Sequence, residues 1–124
     1  MRYRRGDVVR VPFPFTDLSD AKKRPALIIS NDSINVTGDY LMMMVTSKVK
    51  SDDLSIGISD SDYTFEPLEL PSSARVHKIF LCHESLIIKK DSAVTDDFMS
   101  RVVSKLNNLI SERRGNIPSL HETT

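Results

Sequence analysis

The chain has 124 residues, 40% of them hydrophobic and 27% charged, which fits one compact globular domain and not a disordered chain. Basic and acidic residues number 17 each, so the formal net charge is zero and a strongly basic, histone-like nucleic-acid binder is excluded. No apolar run is long enough for a membrane span or a signal peptide, and the single cysteine, Cys82, has no internal partner, so a cytoplasmic protein is expected.

The charges are unevenly spread. Up to Arg24 there are seven basic residues (Arg2, Arg4, Arg5, Arg10, Lys22, Lys23, Arg24) against three acidic ones (Asp7, Asp17, Asp20). From Ser51 to Glu69 there are six acidic residues and no lysine or arginine. A neutral chain of this kind can present a basic face to a phosphate backbone, or simply carry two solvated loops.

Gly6-Asp7 opens a β-rich stretch, Val8 to Phe13, that Pro12 and Pro14 disturb, so the first strand is expected to be short. Thr16 to Lys23 is polar and turn-prone, and reads as a loop. Pro25-Ala26-Leu27-Ile28-Ile29 is a continuous apolar run and reads as a buried strand. Ser30-Asn31-Asp32-Ser33 ends it with side chains that compete for backbone hydrogen bonds. A second apolar run, Tyr40 to Ser47, contains Met42-Met43-Met44, read as core or dimer interface.

Leu54, Ile56 and Ile58 alternate with Ser55, Gly57 and Ser59, the pattern of a strand with one wet face. Asp60 to Pro71 is acidic and proline-bearing, and reads as a loop. Ala74, Val76 and Ile79-Phe80-Leu81 make a further strand, and Leu86-Ile87-Ile88 is expected to make another short one. The period then changes, and Phe98, Val102, Leu106, Leu109 and Ile110 fall on one helical face. Thr95 is the expected N-cap, with Asp96 and Asp97 at the positive end of the helix dipole. Arg113 and Arg114 suit the other end, and Gly115 is the expected stop. Residues 1–112 are expected to form a single domain and 113–124 a flexible tail.

Standard cofactor motifs do not occur: Gly6, Gly38, Gly57 and Gly115 are too scattered for a phosphate loop. His77, Cys82 and His83 match no usual zinc spacing. In a regular strand His77 and His83 share a face and Cys82 points the other way. Cys82 reads as a small buried apolar residue.

Metal-free cleavage of a phosphodiester needs few groups. A base takes the ribose 2′-hydroxyl proton, an acid protonates the leaving oxygen, and a cation with hydrogen-bond donors stabilises the extra charge on the phosphorane. Arginine suits the last role through its planar fork, and histidine the first two through its near-neutral pKa. Arg24, Thr46, Ser47, Arg75 and His77 stand at strand ends where such groups would gather.

Gly6-Asp7-Val8-Val9, Lys23-Arg24-Pro25-Ala26-Leu27-Ile28-Ile29-Ser30-Asn31, Val45-Thr46-Ser47 and Leu70-Pro71-Ser72-Ser73-Ala74-Arg75-Val76-His77-Lys78-Ile79 resemble, in that order, the motifs of the MazF/PemK toxin family, and the closing helix fits too. The resemblance runs nearly to Ile110. It implies a mainly β fold with a C-terminal helix, a small SH3-like β-barrel of the MazF, PemK and CcdB kind. It implies a homodimer that cleaves single-stranded RNA, usually messenger RNA, at short sequences without cofactor or metal. It also implies a cognate antitoxin whose disordered segment covers the site.

Carried over residue by residue, Arg24 matches the catalytic arginine, Thr46 the threonine that assists it at the phosphate, and Arg75 a basic residue that serves as acid or phosphate clamp. His77 stands where members often carry an aspartate. Phe15, Lys23, Ser47 and Lys78 are the expected substrate contacts, Phe15 through base stacking. The rival readings are a toxin of the same barrel that poisons a protein such as DNA gyrase, and a non-catalytic binding barrel.

Overall fold

In a computed structural model, residues 2–13, 22–48 and 50–112 are described. Six strands, β1 (Asp7–Phe13), β2 (Lys22–Ile28), β3 (Asp39–Thr46), β4 (Ser55–Ile58), β5 (Ser72–His83) and β6 (Lys89–Ala93), are joined by a one-turn helix, α1 (Asp32–Asn35), and followed by α2 (Asp96–Ile110). All pairings are antiparallel, in the order β4-β5-β3-β2-β1-β6. The sheet curls until its two ends are tied: Tyr63, just past β4, bridges Val94, just past β6, and Thr95 N–H donates to Asp62 O at 2.8 Å. This is the mainly β, curled-sheet architecture with a C-terminal helix that the sequence led us to expect.

Gly6-Asp7 has a local reason to start β1. Gly6 adopts φ +95°, a conformation that disfavours side chains, and its N–H donates to Ile28 O at 2.8 Å. Asp7 is buried, accepts from Arg4 N–H and pairs with Lys90 at 3.2 Å, so its charge is not orphaned. β1 runs through Pro12 to Phe13 and is longer than expected, because Pro12 faces Lys23 near the strand's end, where a missing N–H is tolerated.

The sheet buries apolar side chains on both faces. On one, Val8, Leu27, Met43, Val45, Ala74 and Val76 pack against Phe98, Met99 and Val102 of α2. On the other, Val9, Val11, Ala26, Ile28, Tyr40, Met42 and Cys82 pack together, with Tyr3, Phe80 and Ile87 against them. Met42 and Met43 point to opposite faces and are fully buried, whereas Met44 is half-buried. Cys82 is buried as expected, and burial pushes its thiol pKa up to about 11.

Helix α2 starts as its sequence specifies, with the Thr95 hydroxyl accepting from Phe98 N–H at 3.1 Å. It stops at Ile110 with Ser111 as C-cap, earlier than the Gly115 stop, and its last residue is 70% exposed, so packing no longer holds the helical run. Arg113, Arg114, Gly115 and the rest of segment 113–124 lie outside the described residues.

Three further sequence expectations need correction. Lys22 and Lys23 are not part of a loop but open β2, because they pair with Phe13 and Pro12 of β1. Leu86-Ile87-Ile88 is not a strand: residues 84–86 form a 3-10 turn and the strand follows at Lys89–Ala93. Its Lys-Lys-Asp-Ser-Ala sequence carries no apolar signal because β6 is an edge strand paired only with β1. His77 and His83 do not share a face. Met43 pairs with Ile79 but Val45 pairs with Ala74, so Met44 alone faces four residues of β5, and the alternation slips by one. His77 therefore lies on the Cys82 face, and His83 lies on the opposite one. Among the described residues no helix is long and apolar enough to cross a membrane.

Candidate active site

The β-pairings align polar residues in a single row across the sheet. Gly57 of β4 pairs with Ser73 of β5, and Ser73 pairs with Thr46 of β3. Ala26 of β2 pairs with Met44, and continuing that register by two residues brings Arg24 opposite Thr46. Paired residues point to one face, so Arg24, Thr46, Ser73 and Gly57 share it, spread over three strand spacings of about 4.8 Å each. The row borders the apolar cluster on that face, whose Val11 pairs with Arg24. Phe13, paired with Lys22 on β2, packs its ring 5.3 Å from that of Phe80 beside it.

Arg24 is half-buried, and among the described residues no hydrogen bond or ion pair engages its guanidinium. Thr46 is buried, and its hydroxyl accepts from Lys48 N–H at 3.1 Å, which fixes the side chain at the bend that ends β3. Ser47 is exposed in that bend and, with Lys48, Gly57, Ser59, Ser72 and Ser73, lines a cavity of about 420 Å³. Gly57 leaves that cavity open, since a Cβ there would meet nothing closer than Ser73 Oγ at 4.0 Å.

Arg75 lies on the same face, two residues beyond Ser73, in very different surroundings. It is 5% exposed. Nη1 donates to Asp52 Oδ1 and to Ser55 Oγ, both at 2.9 Å; Nη2 donates to Asp52 Oδ2 at 2.9 Å and lies 3.4 Å from His77 Nε2. Both terminal nitrogens are thus engaged, and the Nη1–Nη2 edge that would clamp a phosphate is taken by Asp52. The hydrogen bonds to Asp52 push the Arg75 pKa up, and the same bonds hold the Asp52 carboxyl well below its usual range.

His77 is exposed at the slip in β5. Its pKa is lowered, first by partial burial and then by the positive charges of Arg75 and Lys78, with Asp52 opposing them. Because arginine only donates, a hydrogen bond at this contact requires Nε2 as the acceptor and the ring proton on Nδ1.

The site therefore has two groups. Arg24 and Thr46 share a face, Arg75 and His77 approach to 3.4 Å, and Ser73 stands between the groups on β5. Among the described residues no hydrogen bond or ion pair joins Arg24 to Arg75 or His77. Lys23 and Lys78 are exposed; the Lys23 carbonyl accepts from Arg10 Nη1 at 3.3 Å. Phe15 lies outside the described residues. Sequence reasoning missed Ser73, Gly57, Ser55 and Asp52. The wet positions of the β4 alternation held a signal for Ser55 and Gly57, whereas Asp52 read as one acid among many.

A six-stranded curled antiparallel sheet backed by one helix, with polar side chains gathered at the strand ends, defines a class of small single-sheet proteins to which known toxins belong. A family profile described as PemK-like, MazF-like toxin of type II toxin-antitoxin system matches residues 4–110, and the chain belongs to that family. Its fold is similar to that of an endoribonuclease in complex with its cognate antitoxin from a mycobacterial species, at 18% identity and TM-score 0.72, over 91% of this chain and 99% of that one. It is also similar to MazE-MazF from Deinococcus radiodurans, at 21% identity and TM-score 0.71, over 89% of this chain and 97% of that one. A third likeness is to the Mycobacterium tuberculosis toxin MazF-mt6, at 11% identity and TM-score 0.65, over 82% and 93% respectively. Among curated proteins none matches the sequence.

Proposed function

We propose that this toxin is a metal-independent endoribonuclease that cuts single-stranded RNA, messenger RNA above all, at short sequences in the cytoplasm. The observation that carries the reading is the row Arg24–Thr46–Ser73–Gly57, in which no described residue engages the Arg24 guanidinium and a notch opens beside Ser73 and Gly57. A phosphodiester supplies what that row lacks. Its phosphate takes the Arg24 fork and the Thr46 hydroxyl, and the adjoining nucleotide enters the notch by Ser47.

In this reading His77 is the base. Its neutral imidazole takes the proton of the ribose 2′-hydroxyl, and the 2′-oxygen forms a bond to phosphorus while the bond to the 5′-oxygen breaks. One product ends in a 2′,3′-cyclic phosphate and the other begins with a 5′-hydroxyl. Arg24 stabilises the charge that builds on the phosphorane. Arg75 is a poor acid, because Asp52 raises its pKa, so the leaving oxygen takes its proton from solvent. Lys23 and Lys78 add field at the rim, and Phe15 stacks on an unpaired base. The protein works as a homodimer, and it is neutralised by a cognate antitoxin, the latter supported by the likeness to an endoribonuclease in complex with its antitoxin.

The test is purified protein on single-stranded RNA with a chelator present and the ends of the products analysed. Cyclic phosphate ends are expected. Intact RNA with folded protein overturns the reading in favour of a gyrase poison or a binding barrel. An Arg24→Ala variant with full cleavage removes the assigned mechanism.

A further inference from the structure

Asp52 belongs to no motif, yet it makes two of the four contacts that fix the Arg75 guanidinium. The bond set is graded. Three contacts at 2.9 Å, two to Asp52 and one to Ser55, define the plane and position of the guanidinium. The fourth, to His77 Nε2, is long at 3.4 Å and weaker. A buried arginine needs a counter-charge, and Asp52 supplies it from the loop between β3 and β4 with its own side chain 44% exposed.

We propose that Asp52 is a positioning residue of the active site: by clamping Arg75 it sets the orientation in which Nη2 faces His77 Nε2, and so holds His77 in its Nδ1–H tautomer with the Nε2 lone pair turned toward the site. The catalytic part of this inference rests on the ribonuclease reading; the positioning of His77 does not. The long contact is the one His77 can give up as its Nε2 turns to a ribose hydroxyl, whereas the three short ones keep Arg75 in place. Without Asp52 the fork loses its anchor, and an uncompensated positive charge stands beside the base.

The groups facing His77 are Arg75 and Lys78 on β5 and Asp52 from the loop before β4. Asp53, next to Asp52, is paired with Lys105 of α2 at 3.6 Å. Asp52 is the one carboxylate among those acting on His77, so its removal lowers the His77 pKa further.

The direct test is nitrogen-15 NMR of the His77 imidazole in the full chain, with Asp52→Asn and Asp52→Glu. The wild type is expected to show the Nδ1–H neutral form. Asp52→Asn is expected to lose that preference and to titrate at lower pH, and Asp52→Glu to restore both. A wild-type Nε2–H form, or an Asp52→Asn spectrum identical to wild type in folded protein, overturns the proposal.

The second measurement is the pH profile of RNA cleavage. Asp52→Asn is expected to cut about 10- to 100-fold more slowly, as a displaced catalytic group does, with its acid limb moved to lower pH and RNA affinity kept. Faster cleavage than wild type overturns positioning in favour of a masking role. If the spectra behave as expected but His77→Gln cleaves like wild type, the positioning stands and the assignment of His77 as base fails.

Discussion

Arg24 and Arg75 lie on one face of one sheet, near the same row, and their surroundings are opposite. Arg75 is buried with both terminal nitrogens engaged by Asp52, Ser55 or His77. Arg24 is half-buried and no described residue engages its guanidinium. A satisfied arginine organises its neighbours; an unsatisfied one awaits an anion. In the proposed function the difference separates two jobs that the sequence alone assigned to a single cluster, with Arg24 meeting the phosphate and Arg75 arranging the residues around it.

The largest effect is expected from Arg24→Ala. With no partner among the described residues to lose, the melting temperature should hold, while cleavage falls by about 10²- to 10³-fold, the size of one lost transition-state donor. A thermal melt and an RNA cleavage assay on the same sample check both halves, and a marked drop in stability would erase the contrast between the arginines.

Arg75→Met should reverse the pattern by lowering the melting temperature more than Arg24→Ala, because Asp52 and Ser55 lose their partner together. Equal melting curves for the two variants would break the comparison.

The contrast sharpens with pH. The Asp52 pKa is depressed below its ordinary 3.8, so the stabilising effect of its pairing with Arg75 is present above that value and is lost as the pH falls through the lower, folded-state pKa. Asp52→Asn should therefore flatten the acid end of the stability curve, and Arg24→Ala should leave it unchanged. The His77 pKa is depressed too, below its ordinary 6.5, so the imidazole stays neutral to lower pH and the acid limb of cleavage should fall below 6.5. A limb above that value would remove His77 as the base.

Thr46→Val should cost about tenfold in cleavage, less than the loss of the arginine, since a neutral hydroxyl contributes a weaker bond than a cation. The smallest effect should come from Thr95→Ala at the α2 cap, about 1 kcal/mol of stability with cleavage unchanged, because the cap touches neither arginine.

Much of the fold was legible. The buried strands β2 and β3 announced themselves as apolar runs, β4 as an alternation, and α2 through its period and its Thr95 cap. Strand β6 was not legible, because an edge strand of Lys-Lys-Asp-Ser-Ala is held by backbone pairing with β1 and carries little apolar signal. The face of His77 was misread because parity along β5 presumes a regular ladder, and the slip opposite Met44 breaks it.

The sequence by itself determined the family, the candidate residues Arg24, Thr46, Arg75 and His77, and the order of the elements that carry them, because local propensity and motif order are written along the chain. Tertiary structure alone decided which of those residues has its side chain engaged by another described residue. The pairing of Asp52 with Arg75 spans 23 positions, and the row from Arg24 to Gly57 crosses four strands. Contacts of that kind follow from register and from the loop that ends beside β5, and no local pattern encodes them.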